Sequence, residues 1–493
     1  MTSTLSELTE FAARIHAFIA SASAAAAGGA PPPTGVAGCA LAASLGAQTH
    51  VDESADACVP PGFSARARKT APEGGCAPRP AAASDFNTLA LELFALQVRH
   101  NVALRGCLGA RGQAPERLRN WREIPPVPVA AFKEVELTAL PAEACTTVFH
   151  SSGTTGQKPS RHFHSAESLR LYEASLRPWF WRHLWPEGAG GRGAARLRQI
   201  ILTPPPAQVP HSSLVHMFAT VTSAPEDAAS DLVEEFHPRG EVRDVAENRR
   251  LALGQVGRSA FRRQTPRQPG TLDLAAAGAA SAPPPEGGTP NRKFFGTVGA
   301  DGGWCVDFAA ALADLRAAAA SGAPVMLLGT AFSFVHLLDH FAAAGISVKL
   351  PSGSRVLETG GYKGRSRTLP KAELHAEIAR RLGVPASHIV CEYGMSELSS
   401  QAYDTMVPTR ADVARQARRF HFPPWARAVV VSPETGVEVG ESETGLLRIY
   451  DLANVWSALA VQTEDLGVRR GEGFELLGRA AEAEPRGCSR MTD

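Results

Sequence analysis

His150-Ser-Ser-Gly-Thr-Thr-Gly-Gln-Lys158 is the stretch on which the reading of this chain turns. A β-prone run, Thr146 to Phe149, leads into it. Gly153 and Gly156 stand among Ser151, Ser152, Thr154 and Thr155, and Lys158 closes the stretch. Glycine lets a backbone turn its N–H groups inward with no Cβ in the way. Successive inward N–H groups form a concave nest for anions. The hydroxyls add donors for phosphate oxygens, and Lys158 adds a mobile positive charge, so the composition suits a polyphosphate. The common phosphate loop, G-x-x-x-x-G-K-[ST], is a different pattern. Here the glycines are closer together and Pro159 comes after the lysine. A polar surface turn has a similar composition, so the loop by itself does not decide.

Two downstream stretches do more. Cys391-Glu-Tyr-Gly-Met-Ser-Glu-Leu398 comes after the apolar pair Ile389-Val390, and Thr463-Glu-Asp-Leu-Gly467 lies further on. An S-S-G-T-T-G-x-x-K loop, then Y-G-M-S-E, then T-x-D-L-G resembles the adenylate-forming superfamily, the acyl-CoA ligases and their relatives. Two further segments narrow the resemblance. Ile124-Pro-Pro-Val-Pro-Val-Ala-Ala-Phe-Lys133 and His211-Ser-Ser-Leu-Val-His-Met217 are similar to the acyl-protein synthetase branch, the LuxE type of bacterial fatty-acid reductase systems. His211 and His216 read as structural rather than catalytic.

Composition sets the outer bounds. The 493 residues predict two to four domains at about 150 residues each. A hydrophobic content of 44% is that of a globular protein. The net charge of +1 gives no bias toward nucleic acid or a membrane surface. The eight cysteines, at 39, 58, 76, 107, 145, 305, 391 and 488, form no C-x-x-C pair. Neither a zinc site nor a disulfide framework is indicated, and a reducing cytoplasm is the expected compartment. No apolar run reaches the roughly 18 residues of a membrane span. Glu7 and Glu10 precede the apolar part of the first segment, which reads as an amphipathic helix rather than a basic-headed secretory signal.

In chain order, residues 1–20 are expected to form that helix. Residues 21–84, rich in Ala, Gly, Ser and Pro, read as disordered. A folded domain is expected over 85–479, with a low-complexity insertion near 240–292 and a flexible tail over 480–493. Leu89, Leu93, Phe94 and Leu96 mark a helix from Phe86 to about Asn101. Ser165 is placed to cap another, running toward Pro178. Gln199–Thr203 and Pro324–Thr330 read as buried strands, Ala331–His340 as a helix, and Gly345–Leu350 as the next strand. Pro370 opens a helix that ends before Gly383, and the strand His388–Cys391 delivers Tyr393. This β-α-β rhythm predicts an α/β fold with a mostly parallel sheet flanked by helices. Ligands in such sheets bind beyond the carboxyl ends of strands, which makes Phe332, Phe334 and His336 candidate walls of an acyl pocket, with plain core packing the other reading.

The resemblance implies further expectations. It implies the N-terminal-domain fold of adenylate-forming enzymes, ATP and Mg2+ as cofactors, and activation of a fatty or other carboxylic acid to acyl-AMP. It assigns the β- and γ-phosphates to residues 151–158, the α-phosphate to Ser396, the magnesium ligand to Glu397, and a stacking position near adenine to Tyr393. Adenine falls at the Gly360-Gly361 turn, with Lys363, Arg365 and Arg367 either near phosphates or on a solvated face. Asp465 is assigned to the ribose hydroxyls and Arg479 to their vicinity. Ordinary members carry a further mobile domain with a catalytic lysine beyond that arginine. Here only 493 − 479 = 14 residues remain after it, and no lysine occurs beyond Lys371. The segment in that place, Glu484-Pro-Arg-Gly-Cys-Ser-Arg490, resembles the acyl-protein synthetase terminus, whose cysteine takes the acyl group. Arg486 and Arg490 favour the Cys488 thiolate. An acyl reductase is the implied partner protein. Two alternatives stay open on the sequence: a phenylacetate-CoA-ligase-like enzyme acylating coenzyme A or a carrier protein, and a non-catalytic nucleotide- or partner-binding subunit.

Overall fold

The computed structural model describes residues 2–27, 85–109, 114–151, 158–187, 197–223, 291–300, 302–360, 367, 369–408 and 417–480. The stretch 28–84, Ser152, Gly153, Thr154, Thr155 and Gly156, the insertion up to residue 290, Gly361, Lys363, Arg365 and the tail with Cys488 lie outside the described residues. The helices are α1 (Thr2–Ala27), α2 (Phe86–His100), α3 (Val102–Leu108), α4 (Ala131–Glu134), α5 (Ala166–Leu184), α6 (Ser213–Thr222), α7 (Phe308–Ser321), α8 (Ala331–Ala343) and α9 (Lys371–Leu382). The strands are β1 (Val127–Pro128), β2 (Thr147–His150), β3 (Arg161–His164), β4 (Arg198–Ile201), β5 (Arg292–Phe294), β6 (Gly296–Val298), β7 (Trp304–Val306), β8 (Val325–Thr330), β9 (Arg355–Thr359), β10 (Ile389–Tyr393), β11 (Ala402–Tyr403), β12 (Ala426–Val431), β13 (Thr444–Asp451), β14 (Ala460–Arg470) and β15 (Gly473–Arg479).

A six-stranded sheet has the order β11-β10-β9-β8-β4-β5. Its pairings are parallel except at β10–β11. Strands β8, β9 and β10 are buried at every residue, as expected of parallel strands covered on both faces. Helices α5, α6, α8 and α9 contribute Leu176, Val215, Phe334 and Ile378 to the same core as these strands. A second, five-stranded sheet has the order β1-β14-β13-β12 with β15 on β14, and is antiparallel apart from β1. Its faces pack against two separate clusters, one of them shared with α1 and α2. The molecule is thus a mixed α/β fold, as the β-α-β rhythm predicts.

Three local expectations are corrected. First, α1 continues to Ala27, past the expected limit at residue 20, and it belongs to the folded body that was expected to begin near Phe86. Leu8, Phe11, Ala12, Ile15 and Ile19 make a stripe at helical spacing that packs against α5 and α2, within a buried cluster that also takes in residues of the second sheet. Glu7 pairs with Arg99 and His100, and Arg14 pairs with Glu92. Such exposed pairs add little, so the apolar stripe holds the helix. Second, Pro178 does not end α5, which runs on to Leu184. Leu176, Phe180 and Leu184, on both sides of the proline, are fully buried, and that burial outweighs the lost backbone bond. Third, residues 345–350 form no strand. Val348 and Leu350 instead donate their N–H groups to the carbonyls of Arg381 and Leu382. Those carbonyls belong to the last turn of α9 and have no partner within the helix. The strand that comes after β8 is β9, Arg355–Thr359.

This packing gives two expected outcomes. Phe11 is 1% exposed, so Phe11→Ala should lose about 3–5 kcal/mol in denaturant unfolding; a loss under ~0.5 kcal/mol would mean that α1 does not dock in solution. Burial also lowers the pKa of His162 and of His183 to about 4. In the unfolded chain both titrate near ~6.5. As pH falls through that window the unfolded state gains protons that the folded state refuses, so stability present above pH ~6.5 should decline toward pH ~4. His162→Gln should make that decline shallower in unfolding titrations at stepped pH.

Candidate active site

The site is built around the end of β10. This strand lies between β9 and β11, and alternation along it sends Glu392 and Tyr393 to opposite faces. Tyr393 reaches the second sheet. Its hydroxyl donates to Asp465 Oδ2 at 2.9 Å. Asp465 lies on β14 directly opposite Arg479 on β15. Arg479 Nε is 3.4 Å from Asp465 Oδ1, and its Nη1 is 3.6 Å from Glu464 Oε2. Burial, with the Asp465 carboxylate beside it, holds the Tyr393 hydroxyl well above its ordinary range, so it stays a proton donor. The ring of Tyr393 packs edge-on against Phe474 at 5.5 Å and against Phe420 at 6.0 Å. Thr463 Oγ1 donates to the Leu447 carbonyl at 2.7 Å and accepts from Asp465 N at 3.2 Å. The first and third residues of the T-x-D motif therefore hold each other in place.

Beyond Tyr393 the chain turns through Gly394, Met395, Ser396 and Glu397. A buried polar frame fixes this turn. The Asn454 side-chain amide donates to the Glu397 carbonyl at 2.9 Å. Asp451 accepts from Ser399 N at 2.9 Å and from Ser400 Oγ at 2.7 Å. Burial raises the Asp451 carboxyl to about 6, against the pull of these same bonds. Ser396 makes two contacts to other elements. His162 Nδ1–H on β3 donates to its carbonyl at 2.8 Å. Its hydroxyl lies 3.2 Å from Ser213 Oγ at the start of α6.

His162 is the physical link to the glycine- and hydroxyl-rich loop. Strands β2 and β3 form an antiparallel hairpin with His150 opposite Arg161, and the loop is its connection. Ser151 N donates to the Ser160 carbonyl at 3.2 Å, and Ser160 N donates to Ser151 Oγ at 3.0 Å. These bonds close the neck. Lys158 is exposed just inside it. The described residues therefore bring together the loop's neck, Ser396, Glu397, Tyr393, Asp465 and Arg479. Gly360 ends β9, the neighbour of β10, with φ +75°, a value few side chains tolerate. Among the described residues, no atom lies within 4 Å of the place a Cβ would take there. Phe332 and Phe334 are buried in the main core on α8, and His336 has its ring 4.2 Å from that of Phe332. None of these three lines the small cavity beside β10, which Tyr172, Ser213 and Glu392 do line. Arg367 makes an exposed ion pair with Asp339, 2.6 Å long, on α8. Among the described residues, no group of three or more His, Cys, Asp or Glu side chains is arranged to hold a metal.

Sequence reasoning missed His162, Ser213, Asp451, Asn454 and Glu392. His162 and Asn454 act mainly through backbone carbonyls, which leave no mark in a motif. Glu392 stands inside a quoted motif; the signal was a carboxylate in the middle of an otherwise apolar strand.

Residues 291–493 match the family described as Acyl-protein synthetase, LuxE. No curated protein matches the chain. Among solved structures, an open conformation of 2-hydroxyisobutyryl-CoA ligase in complex with 2-HIB-AMP and CoA aligns at 11% identity, covering 82% of this chain and 76% of that one, with a TM-score of 0.46. ATP-bound MatB from Rhodopseudomonas palustris aligns at 15% identity, covering 69% of this chain and 49% of that one, with a TM-score of 0.37. The chain thus spans about half the length of MatB. No described helix is long and apolar enough to cross a membrane. The segment that matches the acyl-protein synthetase, LuxE, family, 291–493, is the one that carries Tyr393, Ser396, Glu397, Asp465 and Arg479.

Proposed function

We propose that this chain uses ATP to activate a fatty or other carboxylic acid as its acyl-adenylate, and that the acyl group then passes to the Cys488 thiol for delivery to an acyl reductase. The observation that carries the reading is the joining of Tyr393, Asp465 and Arg479 across two sheets, one turn of chain from Ser396 and Glu397. In the first step a carboxylate oxygen of the acid attacks the α-phosphorus of ATP, and pyrophosphate leaves with the electron pair of the broken P–O bond. Negative charge gathers on phosphate oxygens, so positioned donors and cations provide most of the catalysis. Lys158 and the residues 151–156 hold the β- and γ-phosphates. Asp465 accepts the ribose hydroxyls, for which a carboxylate already bonded to Tyr393 and Arg479 retains acceptor sites.

Magnesium, when bound, neutralises phosphate charge, and it draws most of its ligands from phosphate and water oxygens. Glu397, buried and with its backbone held by Asn454, would supply one carboxylate for that purpose. In the second step the Cys488 thiolate attacks the acyl carbonyl carbon. The bond from that carbon to the AMP oxygen breaks, AMP leaves, and a thioester remains.

Acid-dependent exchange of pyrophosphate into ATP tests the first step. Asp465→Asn removes charge-assisted acceptance and should lower exchange roughly 10- to 100-fold, with circular dichroism confirming the fold. Exchange at the wild-type rate would take Asp465 out of nucleotide binding. Radiolabelled acid with MgATP tests the second step. Cys488→Ala should keep exchange yet lose the hydroxylamine-sensitive protein label. A label that persists on this variant would remove the tail from the reaction.

A further inference from the structure

The face of β10 opposite Tyr393 carries a carboxylate with an unusual setting. Glu392 is 6% exposed and has no salt bridge among the described residues. Glu358, on β9 opposite Cys391, is likewise buried but has the ring of His375 at 3.2 Å. Glu392 has only a hydroxyl: Thr359 Oγ1 donates to its Oε2. Burial therefore raises its acid group to about 7. Its second oxygen, Oε1, lies beside Gly394, where an added Cβ would collide with it. Only glycine at 394 leaves that oxygen its place.

Glu392 lines a cavity of about 20 Å3 together with Tyr172, Ser213, Thr359 and Gln401, the remaining wall being Gly394 and the apolar side chains of Leu214, Met217 and Met395. That volume is enough for one water-sized group. The surroundings are already organised for hydrogen bonding. Gln401 Nε2 donates to the Tyr172 hydroxyl at 3.3 Å. Tyr403, paired across the strands with Glu392, has a fully buried hydroxyl with no hydrogen-bond partner among the described residues. The cavity also adjoins the reacting end of the site, since Ser213 is on its wall and lies 3.2 Å from Ser396 by their hydroxyls.

We propose that this pocket accepts a hydroxyl group of the acid being activated, which makes the substrate a carboxylic acid hydroxylated on its second or third carbon rather than an unsubstituted alkyl acid. The inference rests on the acid-activating reading above and narrows it. Space for a single water-sized group next to Ser396 suits a hydroxyl within a bond or two of the carboxylate. A methylene there would offer no hydrogen bond to Glu392 Oε1, and a buried polar group given no partner is what lets a site reject an analogue lacking its hydroxyl. Glu392 is then a specificity residue, and the chemistry of adenylation is unchanged.

Pyrophosphate exchange with matched acids tests this: butanoate against 2- and 3-hydroxybutanoate, and octanoate against 2- and 3-hydroxyoctanoate. The full chain should favour a hydroxylated member by at least about 10-fold in kcat/KM. Glu392→Leu should erase or invert that ratio. Glu392→Gln, which keeps an acceptor for Thr359 and is the safer variant for folding, should reduce the ratio while leaving part of it. Equal or better exchange with the unsubstituted acids would overturn the inference and leave acid activation standing. So would a preference that both variants retain in full. Absence of exchange with every acid would instead defeat acid activation itself, and this inference with it.

Discussion

Tyr393 and Asp465 belong to different sheets, and the bond between them is made where neither side chain can turn to water instead. The two sheets are stitched together by backbone as well as by side chains: Phe420 bridges Phe474 on β15, and the next residue, His421, bridges Tyr403 on β11. Beside that bridge a tyrosine hydroxyl and a carboxylate fix the relative position of the sheets within a wall of phenylalanine rings. A buried carboxylate is costly unless it is paired, and Arg479 on the adjacent strand completes the pairing. The constraint runs in both directions. The sheets must meet at this line for Asp465 to be satisfied, and once they meet, Tyr393, Asp465 and Arg479 are held together without any ligand to organise them.

The turn after β10 depends on the same logic at shorter range. Asp451 and Asn454 hold the backbone of residues 397–400 by bonds to main-chain groups and hydroxyls. Main-chain bonding of this sort sets the direction of a loop without dictating which side chains it presents. Ser396 is tied to the β2–β3 hairpin by His162 and to α6 by Ser213. Three elements far apart in sequence thereby converge on one residue. Preorganisation of this kind lets a site stabilise developing charge without reorganising during the reaction.

Much of this architecture was legible in the sequence, and the exceptions share a cause. The strand from Ile389, the helix opened by Pro370 and closed by Gly383, and the buried run Val325–Thr330 are all fixed by local signals: apolar runs and punctuation by proline and glycine. The strand expected at 345–350 had the right local pattern, but the last carbonyls of α9 claimed its N–H groups. Pro178 is a helix breaker by its own chemistry and was overruled by packing on either side of it. The length of α1 was obscured because its alanine-rich end reads as low complexity until a partner surface is known. Of the site, motif residues were readable because their side chains carry the pattern. His162, Asp451 and Asn454 were not, because they act on backbone carbonyls and amides, and Glu392 was hidden by its place in a recognised motif.

Helix α1 is separated from α2 by the 57 residues 28–84 and by Asp85, yet it packs on α5 and α2 with Phe11 and Ile15 buried. Loop-closure entropy rises only with the logarithm of length, about 0.6 kcal/mol per doubling. A tether of this span therefore weakens docking little compared with a short one, and insertions or deletions within it are thermodynamically cheap. Severing it is another matter. The helix would pass from an internal ligand at fixed effective concentration to a free peptide whose occupancy depends on dilution, so a single proteolytic nick would convert part of the hydrophobic core into a concentration-dependent complex.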